Sequence, residues 1–257
     1  MSPRLWAPPS ESLHAFKNQA AVMAHAYKHL VFDCDGVLWQ GTNDGYFQCY
    51  HRAAVEAGIE LDFEVARQRI LVNWGKSAQL EVEGMIPEHP ALVPVVVRRY
   101  RELVRSDFFL DTAVLVPGAK ETLCELSGSY RLSALTGMNT QNLTRLFQRF
   151  HLYPHFRHVI STDDTEDPDK QKASGYHLRQ LMQHEGLKPH EALCVGDAAT
   201  DVQMAKSQGV DVVAVLTGHL SEEEARALYV TAILVTINDL PEWLSAQALN
   251  ADCERNS

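Results

Sequence analysis

No stretch of this chain is apolar for long enough to cross a bilayer, since its uninterrupted hydrophobic runs fall well short of the ~20 residues a helical span needs. The opening segment, "MSPRLWAPPSESLHAFKNQ", also lacks the apolar centre of a secretory leader. A soluble, cytoplasmic protein with no membrane partner is the expectation. Basic charge is scarce as well: 23 Lys and Arg stand against 33 Asp and Glu, a net charge of −10. Nucleic-acid binding leaves a basic footprint, and none is present. Any anionic ligand would need local help from a metal, a lysine or backbone N–H groups. Cysteine is sparse and scattered. The five (Cys34, Cys49, Cys124, Cys194, Cys253) form no C-x-x-C pair, which argues against a disulfide framework and a zinc cage and fits a reducing compartment.

What is present is an ordinary globular composition, 46% hydrophobic and 22% charged, over 257 residues. That length supports one large domain or two smaller ones. Residues 1–27 read as an N-terminal extension with one short helix and no evident chemistry. From His29 onward, short apolar runs alternate with helical patterns. "HLVF", "YRLSALT", "RHVIS", "ALCVG", "VVAVL" and "TAILV" read as strands, and helices are expected at 139–150, 174–185 and 200–208, with others after the last two strands. Strands separated by such helices imply right-handed βαβ units, hence an α/β fold with a Rossmann-like parallel sheet and helices on both faces. One block departs from the alternation. Between Tyr46 and Phe109, Phe63, Ala66, Ile70 and Trp74 recur at helical spacing, as do Leu92, Val96, Tyr100 and Leu103. This block reads as an inserted α-helical cap over residues 45–109, with residues 28–44 and 110–257 forming the core. "VPG" at 116–118 opens a further helix, with Pro117 suited to its first turn.

Ligands of parallel sheets bind at the carboxyl ends of the strands, and four motifs fall there. Asp33 and Asp35 in "DCDGV" lie on the same side of an extended segment, where two close carboxylates raise one another's pKa unless a cation such as Mg²⁺ intervenes. Asp-Gly is equally a common turn. Thr136 and Gly137 end a strand with a hydroxyl and exposed amides that can hold a phosphate oxygen, although Thr-Gly is also an everyday turn. "DPDKQKASGYHL" carries lysines before a helix, usually solvated but able to neutralise an anion. "VGDAATDVQMAKSQGV" is the most specific: Asp197 follows a strand and Asp201 lies one helical turn on. Asp197 could simply cap a helix. Yet four acids at one sheet edge, with no arginine in the motifs, are hard to reconcile energetically without a cation and a phosphorylated ligand.

In this order, each after an expected strand, the four motifs resemble those of haloacid dehalogenase superfamily hydrolases, in the branch similar to phosphoglycolate phosphatases. The likeness runs from about His29 to Leu240 and includes "VPGAKETLCEL" and "LTGHLSEEEA". The resemblance implies that Asp33 attacks phosphorus and becomes an aspartyl-phosphate, and that Asp35 protonates the leaving oxygen and then activates water. It implies that Thr136, Gly137 and a lysine hold the phosphoryl group. Mg²⁺ would be held by Asp33, Asp197 and the main-chain oxygen of Asp35, with Asp201 supporting its water shell or orienting the lysine. An acid at position 35 favours phosphate-ester chemistry over carbon–halogen cleavage. Two features depart from the pattern: the lysine motif lacks its usual prolines, and "DCDGVLW" resembles a branch whose cap comes after the second motif, whereas here the insertion precedes it. Counting back from Tyr176 and Gly175 favours Lys170 as the motif lysine, while the distance to Asp197 favours Lys172; Lys170 is the choice taken here.

The expected activity is thus Mg²⁺-dependent hydrolysis of a small phosphorylated metabolite. A phosphosugar mutase of the same fold is the alternative, and a non-catalytic phospholigand-binding or scaffold protein a second. In the cap, Trp74 and Lys76 of "NWGKSAQ" and Arg52 are candidate substrate contacts, with packing against the helix of Ile70 the plainer reading for Trp74. His151, His155 and His158 have spacing broken by Pro154 and read as loop histidines rather than a zinc site. The acidic run "DDTEDPD" reads as a solvated loop.

Overall fold

The computed structural model describes residues 27–74, 76–162 and 168–255. The expected helix within the N-terminal extension, and nearly all of the acidic run, lie outside them. Six strands form one parallel sheet: β1 (His29–Phe32), β4 (Arg131–Thr136), β5 (His158–Ser161), β6 (Ala192–Gly196), β7 (Asp211–Val215) and β8 (Ala232–Leu234), in the spatial order β5-β4-β1-β6-β7-β8. These are the six runs read from sequence. β1, β4 and β6 are buried almost throughout, as strands covered on both faces must be. The helices α6 (Ala119–Ser127), α7 (Thr140–Arg149), α8 (Tyr176–Glu185), α9 (Ala199–Ser207), α10 (Glu222–Ala227) and α11 (Leu240–Arg255) alternate with these strands. Two separate apolar clusters result, one containing Leu30 and Phe32, the other Val31 and Cys194, as alternation along the strands requires.

The order reverses between β1 and β6. From β1 the chain moves outward to β4 and β5; after β6 it moves the other way. This switch point opens a crevice at the carboxyl ends of both strands, and Asp33 and Asp197 each follow one of them. Pairing of Phe32 with Val195 puts Asp33 level with Gly196, so Asp197 emerges one residue further along the neighbouring strand.

Between β1 and α6 lies the helical cap: α1 (Thr42–Glu56), α2 (Phe63–Leu71), α3 (Ala78–Met85), α4 (Val93–Val104) and the single turn α5 (Asp107–Leu110). Asp62 and Ser77 cap α2 and α3 through their side-chain oxygens. A small antiparallel ribbon unforeseen from sequence, β2 (Trp39–Gln40) with β3 (Val114–Leu115), joins the two ends of the insertion. Two-residue strands carry too little periodicity to be read in advance. Pro117 lies before the left-handed Gly118 that precedes α6, so it sits outside the first turn, where its carbonyl accepts from Asn238.

At the opposite, amino edge of the sheet, Glu185 gathers three groups: Arg157 Nε at 2.7 Å, His158 Nε2 at 2.8 Å and Arg131 Nη1 at 3.0 Å. Burial would raise its pKa, but His158 and Arg157 outweigh burial and bring it from 4.5 down to about 2. A carboxylate with a depressed folded pKa stabilises the protein above its unfolded value, and the contribution fades as pH falls towards the folded one. Glu185→Gln is therefore expected to lower the melting temperature by a few degrees near neutrality. The gap to the parent protein should narrow as pH drops below about 4.5. An offset that stays constant in thermal scans from about pH 7 to 3.5 would refute this account.

Candidate active site

Three carboxylates converge at the switch point. Asp33 extends from the end of β1; Asp197 and Asp201 flank the start of α9. Side-chain oxygens of Asp33, Asp197 and Asp201 all lie within 4.8 Å of one another, and all three residues are buried. Lys172 answers them. Its ammonium sits 2.6 Å from Asp33 Oδ1 and 2.6 Å from Asp201 Oδ1. Burial alone would lower its pKa, but Asp201 and Asp33 raise it above the ordinary lysine range, so it is held charged.

Asp201 has a second task. Its other oxygen accepts from the backbone N–H groups of Asp197 (3.1 Å) and Ala198 (3.0 Å), which ties the loop between β6 and α9 to the lysine contact. A side chain so engaged orients Lys172. Asp201's own pKa is raised, by burial first, against the lowering effect of Lys172. Asp197 is not a helix cap; Ala198 occupies that position. One Asp197 oxygen accepts from the N–H of His219 at 2.9 Å, and its main-chain carbonyl accepts from Leu220 N at 2.8 Å. The loop after β7 thereby wraps the acid. Gly36, in the left-handed region at φ +74°, and Gly218 press against it so closely that a Cβ on either would collide with its carboxylate. Burial, reinforced by Asp33 and Asp201, pushes the Asp197 pKa up to about 8. Three buried acids against one ammonium are electrostatically frustrated, and a hard divalent cation with oxygen preference relieves that frustration. The donor set fits Mg²⁺.

Asp35 stands apart from this cluster. Its Oδ1 accepts from Trp39 Nε1 at 2.7 Å and, in a short contact, from the Thr42 hydroxyl. Its removal from water raises its pKa, against the lowering effect of those two hydrogen bonds and of Lys172. The side chain is thus held by Trp39 and Thr42 rather than grouped with the other three acids. Of the expected metal set Asp33, Asp35 and Asp197, the side chains brought together are those of Asp33 and Asp197, with Asp201 as the third.

Thr136 is buried at the end of β4, and its hydroxyl oxygen accepts from Met138 N at 3.3 Å. Gly137 is exposed, faces open space, and lines a cavity of about 540 Å³ between cap and sheet edge. Lys172 and Trp74 line the same cavity. The choice of Lys170 is corrected: its ammonium lies over the Tyr176 ring, 5.9 Å from the centroid, and Lys172 takes the place beside Asp33. The reason lies in the loop. Pro168–Lys170 and Lys172–Ser174 form separate 3₁₀ turns, with Gln171 between them in extended conformation. Gly175, at φ +71°, lets the second turn lie so close to α9 that a Cβ there would strike Ser207. Lys172 is thereby aimed at the acids.

In the cap, the Trp74 ring packs on Phe47 of α1, with ring centroids 4.6 Å apart, and lines the cavity. Lys76 lines the cavity at its exposed rim, donating to Asn73 Oδ1 at 2.9 Å. Arg52 lies elsewhere, paired with Glu56 and over the Phe108 ring. His158 sits beside His184 and Glu185, not with His151 and His155. Sequence reasoning assigned no role to Trp39, Thr42 or the Gly218–His219 loop. The first two follow Asp35 by four and seven residues, a proximity that could have flagged them.

A buried carboxylate cluster with its own lysine, at the switch point of a parallel sheet and beneath a helical cap, defines an α/β enzyme of the hydrolase type. The chain belongs to the haloacid dehalogenase-like hydrolase family, whose model matches residues 27–209. It is 25% identical over 231 residues to a phosphoglycolate phosphatase of Mesorhizobium japonicum, covering 86% of this chain and 96% of that protein. It is 27% identical over 199 residues to the mitochondrial (DL)-glycerol-3-phosphatase 1 of Arabidopsis thaliana, covering 76% of this chain and 65% of that protein. Among solved structures, a haloacid dehalogenase-like family hydrolase from Streptococcus pneumoniae superposes with a TM-score of 0.69 at 18% identity, over 84% of this chain and 98% of that one. No helix among the described residues is long and apolar enough to cross a membrane.

Proposed function

We propose that the protein is a Mg²⁺-dependent phosphatase that hydrolyses a small organic phosphate monoester through an aspartyl-phosphate, with residues 45–109 as a cap over the site. The observation that carries this reading is the Lys172 ammonium lying 2.6 Å from Asp33, inside a set of buried acids that fits a divalent cation. The relatives named as phosphatases of phosphoglycolate and glycerol 3-phosphate support the same class of reaction.

In this mechanism an Asp33 oxygen attacks phosphorus. The P–O ester bond breaks, and the leaving alkoxide takes the proton held by Asp35, whose raised pKa suits an acid role. Water then attacks the phosphorus of the aspartyl-phosphate, delivers its proton to Asp35, and releases inorganic phosphate while restoring Asp33. Lys172 balances charge on the phosphoryl oxygens, and the Thr136 hydroxyl with the backbone N–H groups beside it, that of Gly137 included, orients them. Asp33, Asp197 and the main-chain oxygen of Asp35 would hold the metal, which when bound offsets the charge of nucleophile and phosphoryl group. Asp201 keeps Lys172 in place. A sugar hydroxyl in place of water would give a mutase, and hexose 1-phosphate separates the two by product.

The test is phosphate release from p-nitrophenyl phosphate with Mg²⁺ and in excess chelator. Turnover that stops on chelation is expected; full activity in chelator, or none under either condition, contradicts the proposal. The packing around Asp197 gives a sharper check. Gly218→Ala adds one methyl against that carboxylate and nothing else in its surroundings comes as close. The Mg²⁺ concentration for half-maximal activity should rise roughly 10–100-fold, as when the support of a ligand is disturbed. An unchanged Mg²⁺ titration would remove Asp197 from the metal site.

A further inference from the structure

Two faces of α4 border two different cavities. Tyr100 lines the one over the acids, together with Tyr50 and Glu81. The other face borders a separate groove of about 490 Å³, and none of the residues assigned above to the chemistry lines it. Val93, Pro94 and Val97 give this groove an apolar end, and Arg98, Arg101 and Arg105 continue it along the chain.

The rest of the molecule does not answer the charge of these arginines. All three are exposed. The side chains of Arg98 and Arg101 make no hydrogen bond or ion pair among the described residues, and Arg105 donates to the main-chain oxygen of Arg101, at 3.1 Å. Glu102 also lines the groove, but it pairs with Arg99 at 2.8 Å. Elsewhere arginines meet carboxylates, as Arg69 meets Glu88, Arg149 meets Asp111 and Arg157 meets Glu185. Like charges three and four residues apart on a helix repel and destabilise it. The negative end of the helix dipole offsets this for Arg101 and Arg105, but Arg98 lies nearly two turns from that end. A chain with 33 acids and a net charge of −10 thus keeps a basic stripe beside apolar side chains.

Shape and charge together define what covers it. From Val93 to Arg105 the lining follows about 18 Å of helix, at 1.5 Å per residue. A compact anion would meet two guanidiniums and leave the apolar end bare. The arginines advance by three residues and then by four, so carboxylates at the same spacing on a helix laid alongside meet them one to one. A flat bilayer does not fill a concave groove, and the net charge of −10 repels extended polyanions such as nucleic acid.

We propose that this groove of the cap docks an acidic amphipathic helix of a partner protein. Its carboxylates lie on Arg98, Arg101 and Arg105, and its apolar side chains lie on Val93, Pro94 and Val97. The docking does not depend on the phosphatase reading, since the groove and the cavity over the acids share no lining residue.

The test selects binders from a displayed library of random peptides of about 20 residues, long enough to become helical on binding. The full-length protein is the bait, and the variant Arg98→Glu/Arg101→Glu, its folding checked by thermal unfolding, is the counter-bait. Selected sequences should carry Asp or Glu at the arginine spacing, beside Leu, Ile or Phe. In fluorescence anisotropy, a synthetic copy of the best of them should bind the parent at least about tenfold more tightly than the variant, and should weaken as salt rises from about 0.05 to 0.5 M. A copy with its acids changed to lysine should reverse the ranking, which a misfolded variant could not do. Failure to select any binder, binders without the acid pattern, or equal affinity for both proteins overturns the proposal. Self-association of the parent that the variant loses in sedimentation would give the face to a second copy, and binding of phosphatidylserine vesicles that the variant loses would give it to a membrane; either result also overturns it.

Discussion

Replacing Asp33 by asparagine is expected to abolish turnover while leaving the protein folded. A neutral amide cannot attack phosphorus, so the covalent route is lost, at a cost on the order of four to six powers of ten in kcat. The fold should survive because Lys172 keeps its contact with Asp201, 2.6 Å away, and because one of several crowded carboxylates is removed rather than a counter-charge. Two measurements check this: p-nitrophenyl phosphate hydrolysis at saturating Mg²⁺, and the thermal unfolding curve. Retention of more than about a hundredth of the parent rate by a folded variant would exclude Asp33 as the nucleophile.

The second large effect separates two lysines two residues apart. Lys172→Ala should lower kcat about a hundredfold or more, because a preorganised charge beside the phosphoryl group is lost in a site with little water. Lys170→Ala should stay within a few-fold, since its ammonium lies over Tyr176 and not against Asp33. Lys172→Ala should also make the protein more dependent on Mg²⁺ for stability, because Asp33, Asp197 and Asp201 are then left with no ammonium among them. Melting temperatures with and without Mg²⁺ test this: the gain on adding Mg²⁺ should be larger in Lys172→Ala than in the parent. A reversed ranking of the two lysines in kcat would return the role to Lys170.

The lysine shows why part of the site was not legible. Both candidates precede the same helix, and neighbouring motifs could be counted to favour either. What decides between them is the approach of Gly175 to Ser207, a contact between segments more than thirty residues apart. Asp35 is a similar case. Its place in "DCDGV" predicted a carboxylate near Asp33, but only the folded turn shows its side chain directed to Trp39 and Thr42 and away from the cluster. Glu81 left a fainter trace. It falls on the buried face of α3 with Val82 and Met85.

By itself the sequence determined the α/β alternation, the six strands of the parallel sheet, the helical insertion and the position of four acids just after strands. Those features are local: hydrophobic periodicity, strand-ending Gly-Asp and Thr-Gly steps, and the geometric rule that parallel sheets bind at their carboxyl ends. Tertiary structure alone decided which lysine meets Asp33, how Asp197 is gripped by the Gly218–His219 loop, and that Glu81 and the tyrosines of α1 and α4 share one cavity with Lys172. Each of these depends on where separate segments lie relative to one another to within an ångström or two. Burial and charge pairing act at that distance, and spacing along a chain does not encode it.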